Sequence, residues 1–258
     1  MNLDGHVIRT RKIGIMGGTF DPIHYGHLLA AEETFFALGL DEVIFVPTGD
    51  PPHKRMKGVS LAEDRYTMTL LATLANPHFK LSRIEIDRKE SSHTVDTLRE
   101  MRHWYAPDSV QFFFITGLDA VLNITTWKEY RTLPTLCKIV AVNRPGYQTE
   151  KLGLLPDLLP EEFKGHVIPL ETPLLSISST EIRKRIESGK NIRYLVPELV
   201  ERYIYKKGLK GLGGEWNENH QNCVNCHFSC TFNRSRCFLS TAEHCCPSTR
   251  TYKRKYFL

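Results

Sequence analysis

The sequence predicts an α/β fold in which a parallel sheet carries helices on both faces. Two patterns point there. From Lys12 to Lys207, short apolar or β-branched runs alternate with amphipathic stretches, as parallel strands joined by crossover helices do. Each run is also bounded by turn residues, as strands are. With 258 residues, 41% of them hydrophobic, the chain can bury a substantial core, and length alone permits one large domain or two small ones.

In chain order, strands are predicted at Lys12 to Met16, Glu42 to Pro47, Lys80 to Ile86, Val110 to Ile115, Lys138 to Asn143 and His166 to Leu170. Between the first two, Leu28, Ala31, Phe35 and Leu38 recur at helical spacing, so one face of Gly26 to Leu38 points inward, and Gly39 stops the helix. Ser60 and Glu63 have the spacing of a capping box ahead of a helix whose apolar positions are Tyr66, Leu70 and Leu74. Ser178 and Glu181 repeat the device before Ile182 and Ile186. A last helix, Pro197 to Lys207, begins with proline at a tolerated position and ends before Gly208. The chain thus divides into an N-terminal extension (1–11), a body (12–207) and a Gly-rich linker with a Cys-rich tail (208–258).

Composition narrows the function. Met1 to Lys12 is polar and basic, unlike a signal peptide, and no segment approaches the roughly 18 apolar residues a membrane span needs. A cytoplasmic location is expected. The net charge of +5 suits small anionic substrates better than duplex DNA, and no nucleic-acid reading module is visible. Cys137 stands alone in the body, which fits a reducing compartment, while the other six cysteines crowd into the tail. There Cys223-x-x-Cys226, with His227, Cys230 and Cys237, has partial zinc-site spacing, but the irregular remainder fits a poorly ordered appendage better.

The chemistry concentrates in Gly17-Gly18-Thr19-Phe20-Asp21-Pro22-Ile23-His24-Tyr25-Gly26-His27, which follows the first strand and runs into the first helix. Gly17 and Gly18 allow a sharp turn and close approach to a ligand, and the helix start offers amides and a positive dipole end to a phosphate. His24 and His27 can donate to phosphate oxygens as charge develops during transfer. A metal pair at this spacing would want a third histidine or acidic ligand, and none is placed nearby with zinc geometry.

His24-Tyr25-Gly26-His27 matches the H-x-G-H signature of the nucleotidyltransferase superfamily, and the whole string resembles bacterial nicotinate-nucleotide adenylyltransferases. Ile177-Ser178-Ser179-Thr180-Glu181-Ile182-Arg183 is similar to that family's second signature, ISSTxxR, which holds the ATP triphosphate; read alone it is a capped helix start. The resemblance covers about Lys12 to Lys207. It implies a Rossmann-like nucleotidyltransferase fold and attack by the phosphate of nicotinate mononucleotide on the α-phosphorus of ATP, with Mg2+ arriving on the ATP and no covalent intermediate. His24, His27 and Arg183 take the catalytic roles. Gly17, Gly18, Thr19, Phe20, Gly117, Asp119, Ser178, Ser179 and Thr180 join His27 and Arg183 around ATP.

For the acceptor, the resemblance implies His24, Lys54, Thr94, Trp127 and Arg144. Lys54 lies in Pro51-Pro52-His53-Lys54, similar to the family's PPHK loop. Thr94, in Ser92-His93-Thr94-Val95-Asp96-Thr97, stands where backbone and hydroxyl groups receive the nicotinate carboxylate, although His93 replaces the family's tyrosine and a helix N-cap is the other role open to Thr94. Trp127 would stack on the pyridine ring or pack in the core. Gly117-Leu118-Asp119 is similar to the family's G-A-D, whose aspartate lies beside the adenosine ribose. Two other readings remain open: a pantetheine-phosphate adenylyltransferase, and a non-catalytic nucleotide sensor of the same fold. The partners expected are ATP and nicotinate mononucleotide, with self-association into a homo-oligomer left open.

Overall fold

The computed structural model describes residues 9–49, 58–106, 109–143, 155–173 and 175–209. Lys54, Arg144 and the cysteine-rich tail lie outside the described residues. Six strands form one all-parallel sheet: β1 (Arg11–Gly18), β2 (Glu42–Pro47), β3 (Phe79–Leu81), β4 (Val110–Gly117), β5 (Lys138–Asn143) and β6 (Val167–Glu171), in the order β3-β2-β1-β4-β5-β6. The order reverses direction at β1, which pairs with β2 on one side and β4 on the other. A crevice opens beyond the carboxyl ends of the strands at such a switch point.

Helices cover both faces. They are α1 (Tyr25–Leu38), α2 (Ala62–Thr73), α3 (Thr94–Arg102), the short α4 (Leu118–Leu122), α5 (Leu133–Leu136) and α6 (Leu155–Leu158), then α7 (Ser179–Glu187) and α8 (Glu198–Lys207). Alternate residues of each central strand fall into two separate cores, as a two-residue side-chain period requires. Ile13, Ile15, Phe112, Phe114, Ile139 and Ala141 pack with Leu98 and Met101 of α3. Val43, Phe45, Phe113, Ile115 and Val140 pack instead with Ala31 of α1, Met68 of α2, Ile182 of α7 and Val200 of α8. No helix among the described residues is long and apolar enough to cross a membrane.

Three expectations need correction. The third strand is only Phe79–Leu81; beyond it the chain turns, with the Asp87 amide bonded to the Arg83 carbonyl, because this edge strand has β2 as its sole neighbour. Ser60 does not cap α2. Leu61 occupies the N-cap with no side-chain bond, and Ser60 is buried with its amide donating to Asp21 Oδ2 at 3.2 Å. The inward face of α2 is also not Tyr66, Leu70 and Leu74, since Leu70 and Leu74 are exposed. It is Ala62, Arg65, Met68, Thr69 and Thr73. The two threonines can face inward because each hydroxyl donates to the carbonyl four residues earlier, at 2.7 and 2.9 Å, which hides its polarity.

Candidate active site

α1 begins at the carboxyl end of β1, and its N-cap is His24, in extended conformation and 1% exposed. The His24 and His27 rings stack with centroids 3.8 Å apart and planes inclined by 26°. His27 Nδ1 accepts the backbone N–H of His24 at 3.3 Å. A ring nitrogen that accepts carries no proton, so this bond places the imidazole proton on Nε2 and makes that atom a donor. Gly26 leaves room for this arrangement: a Cβ there would stand 3.0 Å from Nδ1 and Cε1 of His24, so the ring would have to give. The first turn of α1 carries no acidic residue to offset its positive end. Of its amides, Tyr25 N–H is committed to the Leu195 carbonyl and His27 N–H to the His24 carbonyl, so fewer are free for an anion than the sequence suggested.

Gly17 and Gly18 do not make the turn; they are the last residues of β1. The turn residue is Phe20, at φ 50°, a left-handed conformation that costs a non-glycine residue on the order of 1 kcal/mol or more. Its ring is buried and meets His27 edge-on at 5.1 Å. The loop around it is held by its carbonyls. Arg65 Nη1 donates to Thr19 O at 2.9 Å, Arg183 Nη1 to Asp21 O at 2.7 Å, and Ser179 Oγ to Pro22 O at 2.9 Å. Arg183 and Ser179 therefore grip the signature loop itself. Ser178 caps α7 by accepting the Glu181 amide at 3.2 Å, and Thr180 Oγ1 accepts from Arg183 Nη2 at 3.3 Å.

A cavity of about 290 Å³ opens at the switch point, lined by Gly17, Gly26, His27, Gly117, Asp119 and Thr172 among others. Asp119, in α4, lies close over the end of β4, where a Cβ on Gly117 would fall 2.5 Å from its Oδ1. A second cavity, about 420 Å³, is lined by His93, Thr94, Thr126, Trp127 and Lys128. His24 lines neither. The N-cap of α3 is His93 rather than Thr94, which is the first helical residue. Trp127 packs against the core, edge-on to Phe114 at 5.8 Å, and also lines this cavity. Lys128 holds Asp96 at 3.0 Å beside it.

Arg65 went unrecognised in the sequence, where an arginine in an amphipathic helix reads as a surface residue. It is 1% exposed. Its only sequence signal is its place on the spacing of the buried set, three residues after Ala62 and three before Met68. Cys137 can be set aside as a nucleophile, since burial pushes its thiol up to about 12.

A cytidylyltransferase-like family model matches residues 15–185, which spans both histidines and Arg183. A protein of Moorella thermoacetica named "Probable nicotinate-nucleotide adenylyltransferase" is 52% identical over 209 residues, covering 81% of this chain and 94% of that protein. The chain belongs to the nicotinate-nucleotide adenylyltransferase family. A family member from Thermus thermophilus is 50% identical over 198 residues, covering 77% of this chain and 98% of its own length. Among solved structures, the Plasmodium falciparum nicotinic acid mononucleotide adenylyltransferase complexed with NaAD superposes with a TM-score of 0.64 at 22% identity, over 80% of this chain and all of that one. This likeness is of fold. These relatives carry the first of the names the sequence suggested, not that of pantetheine-phosphate adenylyltransferase.

Proposed function

We propose that the protein transfers the adenylyl group of ATP to nicotinate mononucleotide, giving nicotinate adenine dinucleotide and pyrophosphate. The observation that carries this reading is the His24–His27 pair at the N-terminus of α1. There the backbone N–H of His24 bonds to Nδ1 of His27, which makes Nε2 the donor atom, and His27 lines a cavity that Asp119 also lines. An oxygen of the acceptor phosphate forms the new bond to the α-phosphorus, the bond from that phosphorus to the α,β-bridging oxygen breaks, and pyrophosphate carries the electron pair away. Negative charge grows on the α-phosphoryl and bridging oxygens, and a preset donor such as His27 Nε2–H stabilises it more in the transition state than in the ground state.

Asp119 is suited to accept from sugar hydroxyls. Trp127 and Thr94 border a second cavity, and the reading assigns the nicotinate ring to it, with the amides at the start of α3 as donors for its carboxylate. On the resemblance alone, Lys54 is proposed as a phosphate contact and Arg144 as a residue near the nicotinate mononucleotide. Among the described residues no group of three or more His, Cys, Asp or Glu could cage a metal ion. Mg2+ prefers phosphate oxygens and water to an all-protein cage, so it would be held on the ATP triphosphate, neutralising charge there. The test is pyrophosphate release with Mg-ATP and, separately, nicotinate mononucleotide, nicotinamide mononucleotide and phosphopantetheine. Turnover is expected with the first, and His27→Ala is expected to lower kcat by about 100- to 1000-fold, the cost of losing one preset donor. Binding of ATP without transfer to any acceptor would favour the sensor reading instead.

A further inference from the structure

We propose that Arg65 is a positioning residue for this adenylyl transfer, acting on His27 through the Thr19–Phe20 peptide. The proposal rests on the function proposed above. Arg65 projects from the inward face of α2 to the carboxyl ends of β1 and β2, where its guanidinium meets three separate segments. Nε donates to the Ser60 carbonyl at 3.1 Å, and Nη1 donates both to the Thr19 carbonyl at 2.9 Å and to Thr48 Oγ1 at 3.2 Å. The Thr48 amide in turn donates to the Gly18 carbonyl at 3.0 Å, so the guanidinium ties down a junction of two strand ends.

The route to His27 is short. A peptide unit is planar and trans, so holding the Thr19 carbonyl also fixes the direction of the Phe20 N–H. Phe20 is the left-handed residue of the loop, and it stays in that conformation only if its flanking peptides are held. Arg65 holds the one before it, and the chain beyond it is fixed one peptide further on, where Arg183 donates to the Asp21 carbonyl. The Phe20 ring, 2% exposed, lies against Phe45 on one side and edge-on to His27 on the other. A change at the Thr19–Phe20 peptide therefore moves the wall against which the His27 imidazole rests.

Packing alone does not demand arginine here. The next inward residue of α2 is Met68, fully buried, and an unbranched apolar side chain of that kind fills such a site without the cost of burying a cation. What arginine adds is a planar fork with several donors in fixed directions, which neither methionine nor the single ammonium of lysine reproduces.

The test compares Arg65→Lys and Arg65→Met with the parent protein. Steady-state rates are corrected for the folded fraction, and the imidazole signals of His27 are recorded by heteronuclear NMR without ligands. In Arg65→Lys, kcat is expected to fall by about 10- to 100-fold, the scale of an ångström-sized misplacement, with KM for Mg-ATP and nicotinate mononucleotide changed by no more than about threefold. The His27 signal is expected to shift while that of His78, stacked on Phe35 elsewhere, stays in place. A kcat within about twofold of the parent, or a His27 signal that does not move, overturns the proposal. If neither variant folds, Thr48→Val decides: it deletes one acceptor of the guanidinium, and a kcat that does not change overturns the proposal, whereas a fall of about threefold or more supports it. A parent protein that transfers nothing to nicotinate mononucleotide would sink the proposed function, and the NMR comparison would still decide whether Arg65 sets His27.

Discussion

Glu85 sits in the turn after β3, 7% exposed, and accepts the Thr97 hydroxyl at 2.7 Å on Oε1. Burial raises its pKa above the ordinary 4.5, against the opposing pull of the Thr97 hydroxyl and the Arg88 and Arg65 charges. The folded protein then holds this proton more tightly than the unfolded chain does. The contribution to stability is greatest below pH 4.5 and is lost as the pH rises through the higher folded value. Glu85→Gln is accordingly expected to raise the melting temperature at pH 7, with the gain shrinking toward pH 4; a lower melting temperature at both pH values would refute this account. Glu85 and Arg65 share a reason for being missed in the sequence. A charged side chain reads as surface, and only the tertiary arrangement supplies the carbonyls and hydroxyls that make its burial tolerable. The pairing of His24 with His27 could be read from the sequence because the two lie three apart at one helix start, where their rings stack. The turn residue was misassigned to glycine, since nothing local announces that Phe20 will be held left-handed by residues from α2 and α7.

At the scale of elements, α1 joins a structural and a chemical demand in one residue. Gly26→Ala has two opposed effects: alanine favours the helix by about 1 kcal/mol over glycine, while its Cβ would press on the His24 ring at 3.0 Å. The expected outcome is a melting temperature that moves little and a kcat at least about tenfold lower, because the stacked imidazoles must separate. Calorimetry beside steady-state kinetics checks it, and unchanged kcat would mean that the stack has no part in the reaction. The central strands were legible as apolar runs, since a strand covered on both faces has no reason to alternate. β3 was read too long because Ile84 continues the apolar pattern and is indeed buried, but in a turn rather than a strand. The two Ser-x-x-Glu patterns look alike in sequence and differ in outcome. Ser178 lies at a partly exposed helix start and accepts the Glu181 amide, whereas the Ser60 amide is drawn inward by Asp21.

For the whole molecule, strand order was not readable, because the pairing of β1 with β4 joins segments far apart in sequence that no local pattern links. The 198 residues of this chain that align with the Thermus thermophilus protein span 98% of that protein. We therefore expect a chain ending at Leu209 to keep the melting temperature and activity of the full one. Val200, Glu201 and Ile204 of α8 are buried, and Leu209 packs on the same core. A marked loss of activity in the shortened protein would instead assign a working role to residues 210–258.

The fastening of the signature loop by α7 also sets an order in time. Ser179 and Arg183 reach back across 157 and 162 residues to the Pro22 and Asp21 carbonyls. At a ribosomal pace of about 5–20 residues per second, the histidines leave the tunnel about 10–30 s before the clasp that holds their loop has been made. During synthesis, then, the nascent chain displays its signature long before it owns a catalyst, and any product of premature termination ahead of α7 would be inert.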